Sequence, residues 1–114
     1  MRTDESYLLD ILQAATDLRD ATAGLRLQTI IEDRFLQRIV RSCLEDIGEA
    51  SKKLSNEFKS RYPLIPWSEL VSRRNWLAHE YFRVDYGEVW HFIESELPGL
   101  IETLRPLVPK ERKP

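Results

Sequence analysis

The chain has 114 residues, enough for one domain and too few for two. Its 42% hydrophobic and 32% charged residues exclude a disordered or collagen-like chain and fit a helical domain with a real core. With 17 basic against 19 acidic residues, overall charge gives no sign of nucleic-acid binding, so any such contact needs a local patch.

Helical periodicity begins at once. Tyr7, Leu8, Ile11, Leu12, Ala15 and Leu18 recur at helical spacing, with Thr3 or Asp4 as N-cap and Gly24 as stop. The opening MRTDESYLLD is acidic where a signal peptide needs an apolar run, and no span reaches transmembrane length. A cytoplasmic protein with no membrane partner is expected.

A longer apolar stripe follows: Ile31, Phe35, Leu36, Ile39, Val40, Cys43, Leu44, Ile47, Leu54 and Phe58. It predicts one spine helix from about Thr29 to about Arg61, ended by Tyr62-Pro63 and roughly 50 Å long at 1.5 Å per residue. Gly48 inside it is expected to admit a close neighbour rather than to kink the helix. Cys43, the lone cysteine, reads as a small core residue; a single thiol allows neither a disulfide framework nor a cysteine metal site.

The next helix is expected to begin near Pro66, a residue suited to a first helical position, and to end around Phe82 to Val84. Asp85-Tyr86-Gly87-Glu88 resembles a capping box opening a helix to about Leu97, which Pro98 breaks or kinks. A last apolar stretch, Leu100 to Leu107, leads to a basic tail. The division expected is a helical domain at 1–109 and a tail at 110–114. The fold class is all-α, a bundle of four or five helices.

The chemistry concentrates in RRNWLAHEYF, residues 73 to 82. HEYFR lacks the second His of a zinc-protease helix, His91 is the only other imidazole, and no Gly-rich phosphate loop occurs. No metal and no cofactor are expected. At about 100° per residue, Arg74 and Tyr81 nearly eclipse each other, while Asn75 and His79 are neighbours on an adjacent stripe. Two such helices meeting across a two-fold axis gather both pairs into one cleft, so a homodimer is the natural way to build a site.

These groups suit phosphodiester chemistry on RNA. Histidine exchanges protons near neutral pH, and a guanidinium fork stabilises charge on a phosphorane. Asn75 is placed to orient the His or hold a phosphate oxygen. With no carboxylate cluster in the stretch, the chemistry expected is metal-independent and ends in a 2′,3′-cyclic phosphate. The plain alternative is a solvated helix face carrying a His and an Arg. Residues Lys59 to Arg83 hold five basic and two acidic side chains. Asp85 to Glu102 holds five acidic and no Lys or Arg, so that helix is expected to face away from nucleic acid.

The run Arg74-Asn75-Trp76-Leu77-Ala78-His79-Glu80-Tyr81-Phe82 resembles the motif of the HEPN superfamily, in particular its HepT-like toxins. EDRFLQRIV, LEDIGEASKKLS, YPLIPWSEL and VDYGEVWHFIESELP match that branch in order, so the resemblance spans almost the whole chain. One departure is Ser72-Arg73, where relatives often carry Gly-Met.

The resemblance implies a helical bundle dimerising through the motif region. It implies an endoribonuclease toxin of a type VII-like toxin–antitoxin system, with Arg74 and His79 catalytic. A minimal nucleotidyltransferase antitoxin is implied as partner, able to transfer AMP to Tyr81. Glu49 is a supporting candidate, able to pair with Arg74 or support His79, or else a solvated carboxylate. Arg73 and Arg83 are candidates for the RNA backbone, or else solvated. His91 is expected to be structural or exposed, and Trp67, Trp76 and Trp90 to be core or interface anchors. The alternative is a catalytically silent nucleotide- or partner-binding subunit of a two-component nucleotidyltransferase.

Overall fold

Capping and apolar spacing place the helices. The computed structural model describes residues 2–73 and 84–108, among which there are seven α-helices and no strand. Helix α1 spans Asp4–Thr22. Thr3 caps it, its side chain accepting from the Ser6 N–H at 3.2 Å, and Asp4 and Glu5 oppose the positive end of the helix dipole. Leu8, Ile11, Ala15 and Leu18 are fully buried along one stripe. The chain leaves α1 through Gly24, whose φ of 74° is open to glycine without strain.

The single spine helix expected from about Thr29 to Arg61 is three helices: α2 (Leu27–Glu32), α3 (Arg34–Lys53) and α4 (Asn56–Arg61). Asp33 makes the first break. Its extended backbone and its carboxylate, accepting from the N–H groups of Phe35 and Leu36, start α3 afresh. The second break runs through Leu54, buried in extended conformation, and Ser55, whose hydroxyl accepts from the Phe58 N–H at 3.1 Å. At 20 residues, α3 is about 30 Å long.

The breaks also turn part of the stripe outward. Leu36, Val40, Cys43, Leu44 and Ile47 are buried as expected, but Ile31, Phe35 and Ile39 are 46%, 79% and 46% exposed. Phe35 sits one residue, about 100°, from Leu36 on the wheel, too far to share its buried face. In α2 it is Ile30 that is buried. Gly48 is buried within an unbroken α3.

Helix α1 packs along α3, and α5 (Trp67–Arg73) covers another side of α3. Pro66 stands just before α5 and its carbonyl accepts from the Leu70 N–H. Asp85 caps α6 (Tyr86–Ser95) through the N–H groups of Gly87 and Glu88. Glu96 separates α6 from α7 (Leu97–Leu104), where Pro98 fits the first turn, and a short 3-10 turn ends at Leu107. Helix α7 closes the core against α1 and α6. Among the described residues no helix is long and apolar enough to cross a membrane.

Candidate active site

An aromatic cluster sets the approach to the motif. Trp67 is buried, its indole N–H donating to the Tyr62 carbonyl at 3.1 Å and its ring meeting Phe58 edge-on at 6.1 Å. Phe58 and Tyr62 rings lie 5.1 Å apart. These contacts tie α5 to α4, and α5 packs on α3 with its last residue, Arg73, reaching Phe92 of α6.

Arg73 is held on three sides. Its Nη2 donates to Oε1 and Oε2 of Glu96, each at 2.9 Å, and to Oε2 of Glu69 at 3.3 Å. The guanidinium carbon lies 4.8 Å from the centre of the Phe92 ring. On the other side of residues 74–83, Val84 is half-buried against the core and Asp85 caps α6. Arg73, Asp85, Gly87, Glu88, His91 and Glu96 line one cleft of about 500 Å³, so both chain ends flanking 74–83 border the same concavity.

Glu96, at the junction of α6 and α7, holds Arg73. His91 is exposed on that cleft, its Nδ1 3.5 Å from the Ser95 hydroxyl, and Trp90 is half-buried against the core.

Glu49 is half-buried in α3, in a cleft of about 360 Å³ between α1 and α3. Asp10, Asp17, Asp46 and Lys53 share that cleft. Burial, and then the charges of Asp10 and Asp17, raise the Asp46 carboxyl above the usual carboxylate range. Among the described residues no group of three His, Cys, Asp or Glu side chains is arranged to hold a metal ion.

Arg74, Asn75, Trp76, His79, Tyr81 and Arg83 lie outside the described residues, as does the 110–114 tail. The structure thus places Arg73 and Glu49 among the expected site residues. It adds Glu96 and Phe92, which no spacing rule pairs with Arg73 because they stand 23 and 19 positions away.

An all-α bundle with these elements in this order is consistent with the HEPN fold. The family model described as ribonuclease HepT-like matches residues 11–107, and the chain belongs to that family. Its relatives include a candidate RNase of Methanocaldococcus jannaschii, 35% identical over 99 residues that make up 87% of this chain and 91% of the relative. A candidate RNase of Caldanaerobacter subterraneus subsp. tengcongensis is 36% identical over 112 residues, 98% of this chain and 100% of the relative. A protein named as probable ribonuclease HepT, from Thermococcus cleftensis, is 36% identical over 99 residues, covering 87% and 90% of the two chains. No solved structure matches the chain at a significant level.

Proposed function

We propose that the protein is a metal-independent endoribonuclease, the toxin of a type VII-like toxin–antitoxin pair. The observation that carries this reading is the run Arg74-Asn75-…-His79-Glu80-Tyr81 inside a chain that the ribonuclease HepT-like family matches over residues 11–107. His79 takes the proton from a ribose 2′-hydroxyl as its oxygen attacks the adjacent phosphorus, and Arg74 stabilises the charge on the phosphorane. His79 of a second copy protonates the departing 5′-oxygen, leaving a 2′,3′-cyclic phosphate. This division of labour is why the reading includes a homodimer. Asn75 and Glu49 support the two catalytic side chains, and Arg83 meets the RNA backbone.

The antitoxin in this reading is a minimal nucleotidyltransferase that joins the Tyr81 oxygen to the α-phosphorus of ATP, releasing pyrophosphate. The seven-residue spacing of Arg74 and Tyr81 would stack them on a helix, where a phosphate added to Tyr81 would occupy the guanidinium and repel RNA. Tyr81→Phe then keeps cleavage but escapes neutralisation by modification. Neutralised Tyr81→Phe of unchanged mass refutes that route.

The deciding experiment incubates wild type and His79→Ala with labelled cellular RNA in EDTA and identifies product ends by mass. Cleavage by wild type alone, ending in cyclic phosphates, supports the ribonuclease. Equal inactivity of both, with Tyr81 unmodified, turns the reading to a silent partner-binding subunit.

A further inference from the structure

Arg73 immediately precedes the motif, and its surroundings are unlike those of a residue waiting for RNA. Its side chain is 14% exposed and that of Glu96 is 35% exposed. Glu96 is itself fixed by backbone on both sides, its N–H donating to the Phe92 carbonyl at 2.9 Å and its carbonyl accepting from the Leu100 N–H at 3.0 Å. A guanidinium gripped by a carboxylate at its edge and seated on a ring at its face has little freedom to turn. Arg74 follows Arg73 through one peptide bond, with successive Cα atoms about 3.8 Å apart. Whatever fixes Arg73 therefore fixes where the motif begins.

We propose that Arg73 and Glu96 are positioning residues for the ribonuclease motif. The ion pair, seated on Phe92, ties the residue before Arg74 to the α6–α7 junction and so holds the point from which the motif starts. This rests on the ribonuclease reading above. It also separates two roles for Arg73 that predict opposite consequences at Glu96. If Arg73 gripped an RNA phosphate, neutralising Glu96 would release it and lower KM. As a positioning pair, neutralising Glu96 lowers kcat and leaves KM in place.

A groove of about 350 Å³ beside the pair, lined by Ile65, Pro66, Leu70, Phe92 and Leu100 among others, supplies a further control. It offers apolar surroundings in which Arg73→Met with Glu96→Leu replaces the ion pair by packing of similar volume, an exchange that is often close to neutral for stability.

The test measures steady-state cleavage of one RNA by wild type, Glu96→Gln, Arg73→Met, Arg73→Lys and the double variant Arg73→Met/Glu96→Leu, with thermal melts of each. Glu96→Gln and Arg73→Met are expected to lose about tenfold or more in kcat, with KM changed by less than about twofold. Arg73→Lys falls between them and wild type, because it keeps the charge but not the planar face seated on Phe92. The double variant regains most of the lost kcat. An active wild type with Glu96→Gln at undiminished kcat overturns the positioning role alone, as does a fall in KM at constant kcat. A wild type that cleaves nothing overturns this proposal and the ribonuclease reading together. Should Glu96→Gln fail to fold, Arg73→Lys decides: folded with lowered kcat at unchanged KM it supports the role, folded with undiminished kcat it refutes it.

Discussion

Asp4 closes the bundle at a distance of 51 positions in sequence. Its Oδ1 accepts from the Ser55 N–H at 2.8 Å and its Oδ2 from the Ser55 hydroxyl at 2.6 Å. Ser55 Oγ in turn accepts from the Phe58 N–H, so one carboxylate orders the start of α4 as well as the end of α3. The Ser55 hydroxyl and then its backbone N–H hold the Asp4 carboxyl below its ordinary 3.8; burial opposes the shift, and Arg61 and Lys59 add to it.

Asp4→Asn keeps the shape and removes the charge. Hydrogen bonds to charged groups contribute about 1.5–3 kcal/mol, and solvent around this carboxylate screens the electrostatic part, leaving about 1 kcal/mol. For a domain of this size that is a fall in Tm of about 3–5 °C at neutral pH. Because the folded pKa is depressed, this stabilisation is present above the unfolded value, near 4, and is lost as pH falls through the folded one. Thermal melts followed by circular dichroism, at about pH 7 and about pH 2.5, should show the gap between wild type and Asp4→Asn narrower at the second than at the first. A gap of equal size at both, or none at neutral pH, refutes the argument.

Burial, followed by the charges of Asp17 and Asp46, pushes the Cys43 thiol up to about 11, so alkylation at neutral pH should run about a hundredfold slower than for a free thiol. Alkylation in the folded state at the unfolded rate would contradict this. Leu18→Ala, at a fully buried position, should cost about 2–5 kcal/mol by urea titration. Phe35→Ala, at a 79% exposed position, should change monomer stability by about 0.5 kcal/mol or less. Asp33→Ala removes the cap of α3 and should cost about 1 kcal/mol in the same titration.

The bundle class, the Thr3 and Asp85 caps, the Gly24 stop and the break before Pro98 were legible because each rests on one or two neighbouring residues. The spine helix was not, because an apolar stripe of helical period runs on through Asp33 and Leu54-Ser55 without a Gly or Pro. What divides it is side-chain capping: Asp33 turns its carboxylate onto the next turn, and Ser55 is drawn to Asp4 from the far end of the sequence. Period alone does not weigh a local hydrogen bond against helix continuity. The same limit explains Ile31, Phe35 and Ile39, which keep the spacing but sit about 100° off the buried face. For the candidate site, the motif was legible as residue types in order, and the contacts of its leading neighbour were not.

Charge counted in blocks illustrates why. Summed along the chain, Arg73 belongs to a basic stretch and Glu96 to an acidic one, and the sum does not show that the two meet. In the fold, Arg73 meets two carboxylates and a ring, so much of its charge is answered before any phosphate arrives. An ion pair shielded from water also keeps its strength in salt better than a surface one. If Arg73 contributes by holding the chain, its variants should leave the salt dependence of RNA binding nearly unchanged, whereas removing a phosphate contact lowers that slope by about one. Measuring the slope for wild type and Arg73→Met separates holding from contact; a fall of about one would return Arg73 to the RNA backbone.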